Sequence, residues 1–225
     1  MKHNPTLPQT WTPEFAYFFG LLLGDGSLPD SLCKKPNGTI QRRHVIHFTS
    51  NSMPFIQEVY VPLFQSLFNL TPHIVLDKNK KKPLWKIMIE SITLSTFLQE
   101  KGYICGRKAK IAKVPSIPEK FYPYLLAGLL DTDGGKKGGG FGLSTSSQNL
   151  ADFCIKVFKD LDLPYHSCPW HYNGHIYHQI YVGKKNMHKI LHHIPLKNKD
   201  KILFINSCLR GSVVEHYLGT STPIR

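Results

Sequence analysis

Two aspartates, Asp25 and Asp133, close two apolar stretches of the same design: FFGLLLGDG at 18–26 and LAGLLDTDG at 126–134. Each runs glycine, four residues, then Asp-Gly. One such string is read as an ordinary helix stop; two in a single chain ask for another explanation. Gly20 and Gly24 are four apart, as are Gly128 and Thr132, so each pair lies on one helix face and permits close approach of a second helix. Helices packed along those faces would bring their C-terminal ends, and so Asp25 and Asp133, side by side. Like charges held together are costly unless a cation joins them. Carboxylate oxygens are hard ligands suited to Mg2+, which can polarise a phosphate, activate water and steady a leaving oxygen. The chemistry expected is phosphodiester hydrolysis, with Mn2+ substituting for Mg2+ and Ca2+ binding without cleavage.

The elements that must position these acids are themselves duplicated. The motifs are offset by 108 residues, FTSNSMPFIQEVYVPLFQSLF from Phe48 parallels STSSQNLADFCIKVFKDLDL from Ser144 at an offset of 96, and KIMIESITLSTFL from Lys86 parallels QIYVGKKNMHKIL from Gln179. RKAKI, ending at Ile111, also parallels NKDKI, ending at Ile202. Each copy reads helix, two strands, helix, two strands, helix. Thr12 with Pro13 is a helix-start signal, and Pro123 occupies the equivalent first turn. The organisation expected is a first repeat over 11–105, a Pro- and Lys-rich linker over 106–118, and a second repeat over 119–218.

Composition narrows the partner. Lys and Arg number 28 against 15 Asp and Glu, a formal charge of +13, which suits a polyanion, nucleic acid before an anionic membrane. The longest apolar run, 15–24, is too short to span a bilayer, and MKHNPTLPQT lacks the apolar core of a secretory signal. Five cysteines without a C-x-x-C pair fit a reducing compartment. An intracellular protein is expected, in a prokaryotic cytoplasm or an organelle. Cys168, His171, His175 and His178 could suit zinc by type, but Asn173-Gly174 reads as a two-residue hairpin turn that puts His171 and His175 on opposite faces.

With its two motifs the chain resembles the LAGLIDADG homing endonucleases of the single-chain, two-motif type. LAGLLDTDG departs from the family string only by conservative changes, and the likeness covers roughly residues 11–218. It implies an α+β fold of two αββαββα repeats related by a pseudo-twofold axis, with two saddle-shaped antiparallel sheets straddling DNA and the motif helices at the centre. It implies a site-specific, intron-homing type of double-strand endonuclease that cuts across the minor groove to leave short 3′ overhangs. Asp25 and Asp133 then hold the metal, with backbone carbonyls near Gly24 and Thr132. The family adds a lysine to each active site; the repeat alignment pairs Lys108 with Lys199, and Lys110 with Lys201 in reserve. Ser50 and Ser146 stand where relatives carry a polar or basic residue after the second strand.

Readout of bases by a two-stranded ribbon needs polar side chains on one strand face. Gln41, Arg43, His47 and Thr49 meet that need within one strand expected over 41–49. Lys86 does so on the next hairpin, and Tyr177, Gln179 and Tyr181 in the second repeat. Lys34, Lys35, Lys80 with its neighbours at 78–82, Lys136, Lys137, Lys184 and Lys185 are expected to grip phosphates. The partner expected is one long pseudo-palindromic DNA duplex bound by a monomer. Two rivals use the same fold: an intron RNA maturase and a non-cleaving DNA-binding regulator. No aromatic stripe suited to stacking on single-stranded bases is legible, which weighs against RNA.

Overall fold

The computed structural model describes residues 4–29, 31–34, 37–78, 80–106 and 108–218, apart from the side chains of 31, 33, 34, 41–43 and 209–218. The first set of elements opens with helix α1 (Pro13–Leu23), a two-stranded arm β1 (Ser31–Lys34) and β2 (Ile40–Arg43), and β3 (Val45–Ser50). A continuous helical stretch follows: α2 (Met53–Phe55), a π turn (Ile56–Tyr60) and α3 (Val61–Phe68). Hairpin β4 (His73–Leu76) and β5 (Trp85–Glu90) and helix α4 (Ile92–Glu100) complete it. The second set is α5 (Tyr122–Asp133), β6 (Gly135–Lys137), β7 (Gly140–Thr145), α6 (Gln148–Asp160), β8 (Tyr165–Tyr172), β9 (His175–Gly183), α7 (Met187–His193) and α8 (Lys199–Leu218).

The class is α+β. Strands order as β3-β5-β4 in one sheet and β6-β7-β9-β8 in the other, every pairing antiparallel. Two features depart from two equal αββαββα units. The strand expected over 41–49 breaks at His44, so β2 belongs to the arm with β1 and only β3 joins the main sheet. That arm, 31–43, has no counterpart in the second set, where β6 and β7 turn directly at Gly138 and Gly139.

Apolar alternation puts one face of each sheet against the helices. Ile46, Phe48, Ile87 and Ile89 are buried from the first sheet, and Phe141, Leu143, Ile180 and Val182 from the second. The first core is rich in rings: Phe18 lies edge-on to Phe48, Phe64 and Phe68 with centroids 5.0 to 5.8 Å apart, contacts of roughly 0.5–1.5 kcal/mol each beyond area burial. Among the described residues no helix is long and apolar enough to cross a membrane.

The centre is the seam between α1 and α5. Thr12 starts α1, its hydroxyl accepting the Phe15 amide at 3.2 Å. A methyl group on Gly20 would collide with the Leu125 carbonyl and lie 2.9 Å from the Leu129 nitrogen. One on Gly128 would strike the Tyr17 carbonyl and lie 2.7 Å from the Leu21 nitrogen. One turn on, Gly24 lies against the Thr132 side chain. At Gly20 and Gly128 backbone touches backbone because these two positions carry no side chain.

Candidate active site

Because α1 and α5 run in contact, both helix ends open into one place. Asp25 follows Gly24, the C-cap of α1, and Asp133 is the last residue of α5. Burial and then the charge of Asp133 push the Asp25 carboxyl up to about 6. Asp133 keeps an exposed edge, yet it sits deep enough in the cleft for burial to raise it, against the pull of Lys108, Lys201 and Lys137. Two carboxyls that each resist ionisation thus act on one another in the same cleft.

A lysine closes each helix end. The Lys108 amine donates to the carbonyls of Leu22 and Gly24 at 2.5 and 2.9 Å. The Lys201 amine donates to those of Leu130, Thr132 and Gly134 at 2.8, 2.6 and 2.7 Å. Both take up carbonyls at a helix terminus, where a cation also meets the negative end of the helix dipole; of these the Leu130 carbonyl also accepts the Gly134 amide at 3.0 Å. Burial lowers both amines to about 8, opposed by the nearby aspartates. The carbonyls of Gly24 and Thr132, expected to assist a metal, are therefore among the lysine acceptors.

The second lysine is two residues on from the expected one. Lys199 is exposed and paired with Glu58 at 2.7 Å, and Lys110 is exposed as well. Register explains the difference. Lys86 parallels Gln179 at an offset of 93, and the same offset carried forward sends Lys108 to Lys201; the RKAKI and NKDKI match, at 91, aligned look-alike residues. Ser50 closes on itself through the Ser52 main chain. Ser146 donates to the Ala109 carbonyl at 2.9 Å, beside the Lys108 turn.

No protein-family model matches the sequence, and no curated protein matches it. Solved structures do. A structure of the homing endonuclease I-DmoI aligns with a TM-score of 0.59 at 17% identity, covering 81% of this chain and 94% of that one. I-DmoI in complex with DNA and Mn aligns at 0.58, with 17% identity over 81% and 96% of the two chains. The meganuclease I-SmaMI bound to uncleaveable DNA aligns at 0.59, with 13% identity over 91% of each. The fold is that of the LAGLIDADG homing endonucleases.

On this LAGLIDADG fold the candidate DNA readers fall as follows. Thr49 pairs with Lys86 and His47 with Met88, on the sheet face opposite Phe48 and Ile87; Lys86 also meets Asp77 at 3.0 Å. Tyr177, Gln179 and Tyr181 share the face opposite Ile180 and Val182. Gln41, Arg43 and Lys34 lie on the arm with side chains outside the described residues, and Lys35 lies outside them altogether. Lys80, Lys136, Lys184 and Lys185 are exposed, whereas Lys137 acts on Asp133 and so stands at the acids.

Sequence reasoning missed three groups. Asn173 and Gly174 both adopt positive φ, and the hairpin pairs Tyr172 with His175 and His171 with Ile176 as expected. The same register puts Trp170 opposite Tyr177 and beside Tyr172, rings 5.3 and 5.6 Å apart, on the reader face. An aromatic stripe thus exists, assembled from two strands. Tyr60 is the second: its hydroxyl is buried without a partner among the described residues, and Asp25, Asp131 and Asp133 add to the burial that raises it. Asp131 is the third, at 2% exposure.

Proposed function

We propose that the chain is a metal-dependent, site-specific double-strand DNA endonuclease. The observation that carries this reading is the meeting of Asp25 and Asp133 at two glycine-packed helix ends, each end closed by a lysine. Both carboxyls are raised by burial, and hard oxygen donors of this kind fit Mg2+, which is commonly held by one or two carboxylates with substrate phosphate completing its shell. Such an ion, when bound, supplies an activated water and polarises the scissile phosphate.

The remaining work belongs to the protein. Lys108 and Lys201, lowered to about 8, stay mainly protonated at neutral pH and present positive charge where negative charge develops, which favours the transition state over the ground state. The sheet faces bearing His47, Thr49 and Lys86, and Tyr177, Gln179 and Tyr181, are positioned to read two half-sites of one pseudo-palindromic duplex, the exposed lysines holding phosphates. A monomer suffices, because both motifs lie in one chain. Cleavage across the minor groove with short 3′ overhangs follows from the family resemblance.

Incubation with a randomised duplex library and Mg2+, followed by sequencing of cut ends, tests this reading. It expects one long, imperfectly symmetric site with a constant stagger; a library left intact in Mg2+ and Mn2+ contradicts it. The exposed rings Trp170 and Tyr172 favour one second reading, an intron RNA maturase, since unpaired bases stack on such rings. Tighter binding to structured RNA than to duplex, lost in Trp170→Ala, would select it.

A further inference from the structure

The two helix ends are not equivalent. Asp131, sixth in the second motif, stands where the first motif has Leu23, and the two are 2% and 4% exposed. One oxygen of Asp131 accepts the Tyr17 hydroxyl at 2.6 Å and the Lys197 amide at 2.7 Å. Its main-chain carbonyl accepts the Asn198 side-chain amide at 3.1 Å. Asn198 in turn starts α8: its side-chain oxygen accepts the Asp200 amide and its carbonyl those of Lys201 and Ile202, all at 3.1 Å. Lys201 then reaches back to the end of α5. The chain of contacts is a closed loop, from α5 through Asp131 to the first turn of α8 and back through the lysine.

We propose that Asp131 is a positioning residue for Lys201, a buried latch that sets the lysine at one helix end only. A buried carboxylate needs partners; one oxygen has donors from α1 and from Lys197, just ahead of α8, and the other is buried without a partner among the described residues. Tyr17 belongs to the other repeat, and the Lys197 amine lies 4.6 Å over its ring, so the seam itself holds the latch. Lys108 is held differently: its amine lies 5.3 Å over the Tyr103 ring, it sits in a turn whose carbonyl accepts the amides of Ile111 and Ala112, and Leu23, where Asp131 would stand, offers nothing polar. The two strands of a bound duplex therefore meet lysines held in unlike ways.

The proposal rests on the nuclease reading, and two measurements keep their failures apart. Strand-resolved single-turnover cleavage of a target duplex should show Asp131→Asn slowing one strand roughly tenfold or more, the usual penalty for a slightly misplaced group. The other strand should keep its rate, so nicked duplex accumulates at unchanged DNA affinity. Tyr17→Phe, which leaves the carboxylate and the Lys197 bond in place, should skew the strands the same way but less, and serves if Asp131→Asn fails to fold. Equal slowing of both strands would overturn the latch. Amine acylation with mass mapping needs no cleavage: the latch expects a several-fold rise at Lys201 with Lys108 unchanged in Asp131→Asn. Unaltered labelling of Lys201 overturns it, whereas altered labelling in a protein that cuts nothing would sink only the nuclease reading.

Discussion

At the scale of residues, the site is a balance of charge inside a cleft, and the lysines are its clearest test. Lys201→Ala should slow cleavage by about 100-fold, as loss of fixed positive charge beside developing negative charge does, with DNA binding nearly unchanged; Lys199→Ala should leave both alone, because that side chain serves an exposed pair with Glu58. Single-turnover kinetics beside binding isotherms separate the two. The acids make a pH prediction. Asp25 titrates near 6 in the folded protein against an ordinary 3.8, so the folded state binds the extra proton. That contribution to stability is complete below 3.8 and is lost as pH rises through about 6. Melting of the metal-free protein should therefore show a decline across that window that Asp25→Asn lessens and Mg2+ offsets, since the ion binds the ionised form; the Asp133 carboxyl, raised by burial, contributes in the same direction.

At the scale of elements, the seam is fixed by missing atoms. Gly20→Ala or Gly128→Ala should cost about 3 kcal/mol or more, because the added methyl meets backbone rather than a movable side chain; chemical denaturation measures it, and a near-neutral variant would mean that the helices can slide apart. This element was legible in the sequence: glycine at the third motif position, the Thr12 and Pro13 start, and the Asn173-Gly174 turn are local signals whose physics does not depend on the rest of the fold. What escaped needed register. Lys201 stood only in reserve because a five-residue likeness outweighed an offset already set by the preceding hairpin. The break at His44 was hidden because 41–49 alternates as one strand would. Trp170 and Tyr177 become neighbours only through cross-strand pairing, and the Asp131 loop joins groups from three helical regions far apart in sequence.

At the scale of the whole molecule, the charge of +13 is unevenly spread. Residues 165–183 hold no lysine or arginine, whereas 78–82 alone hold four lysines. The segment 78–82 should thus grip phosphate, while residues 165–183 make their contacts through rings. With about ten phosphate contacts in all, log affinity should fall against log salt with a slope on the order of −9. A slope shallower than about −3 would put the basic charge elsewhere than on DNA.

The central claim is that Asp25 and Asp133 act together on a phosphodiester, and the most direct measurement is cleavage by their asparagine variants beside the wild type. Asparagine keeps shape and removes charge, so folding and duplex binding should persist in Asp25→Asn and in Asp133→Asn. Binding should even tighten as a repulsion toward phosphate disappears, while Mg2+-dependent double-strand cutting is lost in each single variant. Ca2+ should support wild-type binding without cutting, its looser coordination placing water poorly. A wild-type protein that binds its duplex tightly yet leaves it whole in Mg2+ and Mn2+, or variants that cut as fast as wild type, would contradict the account.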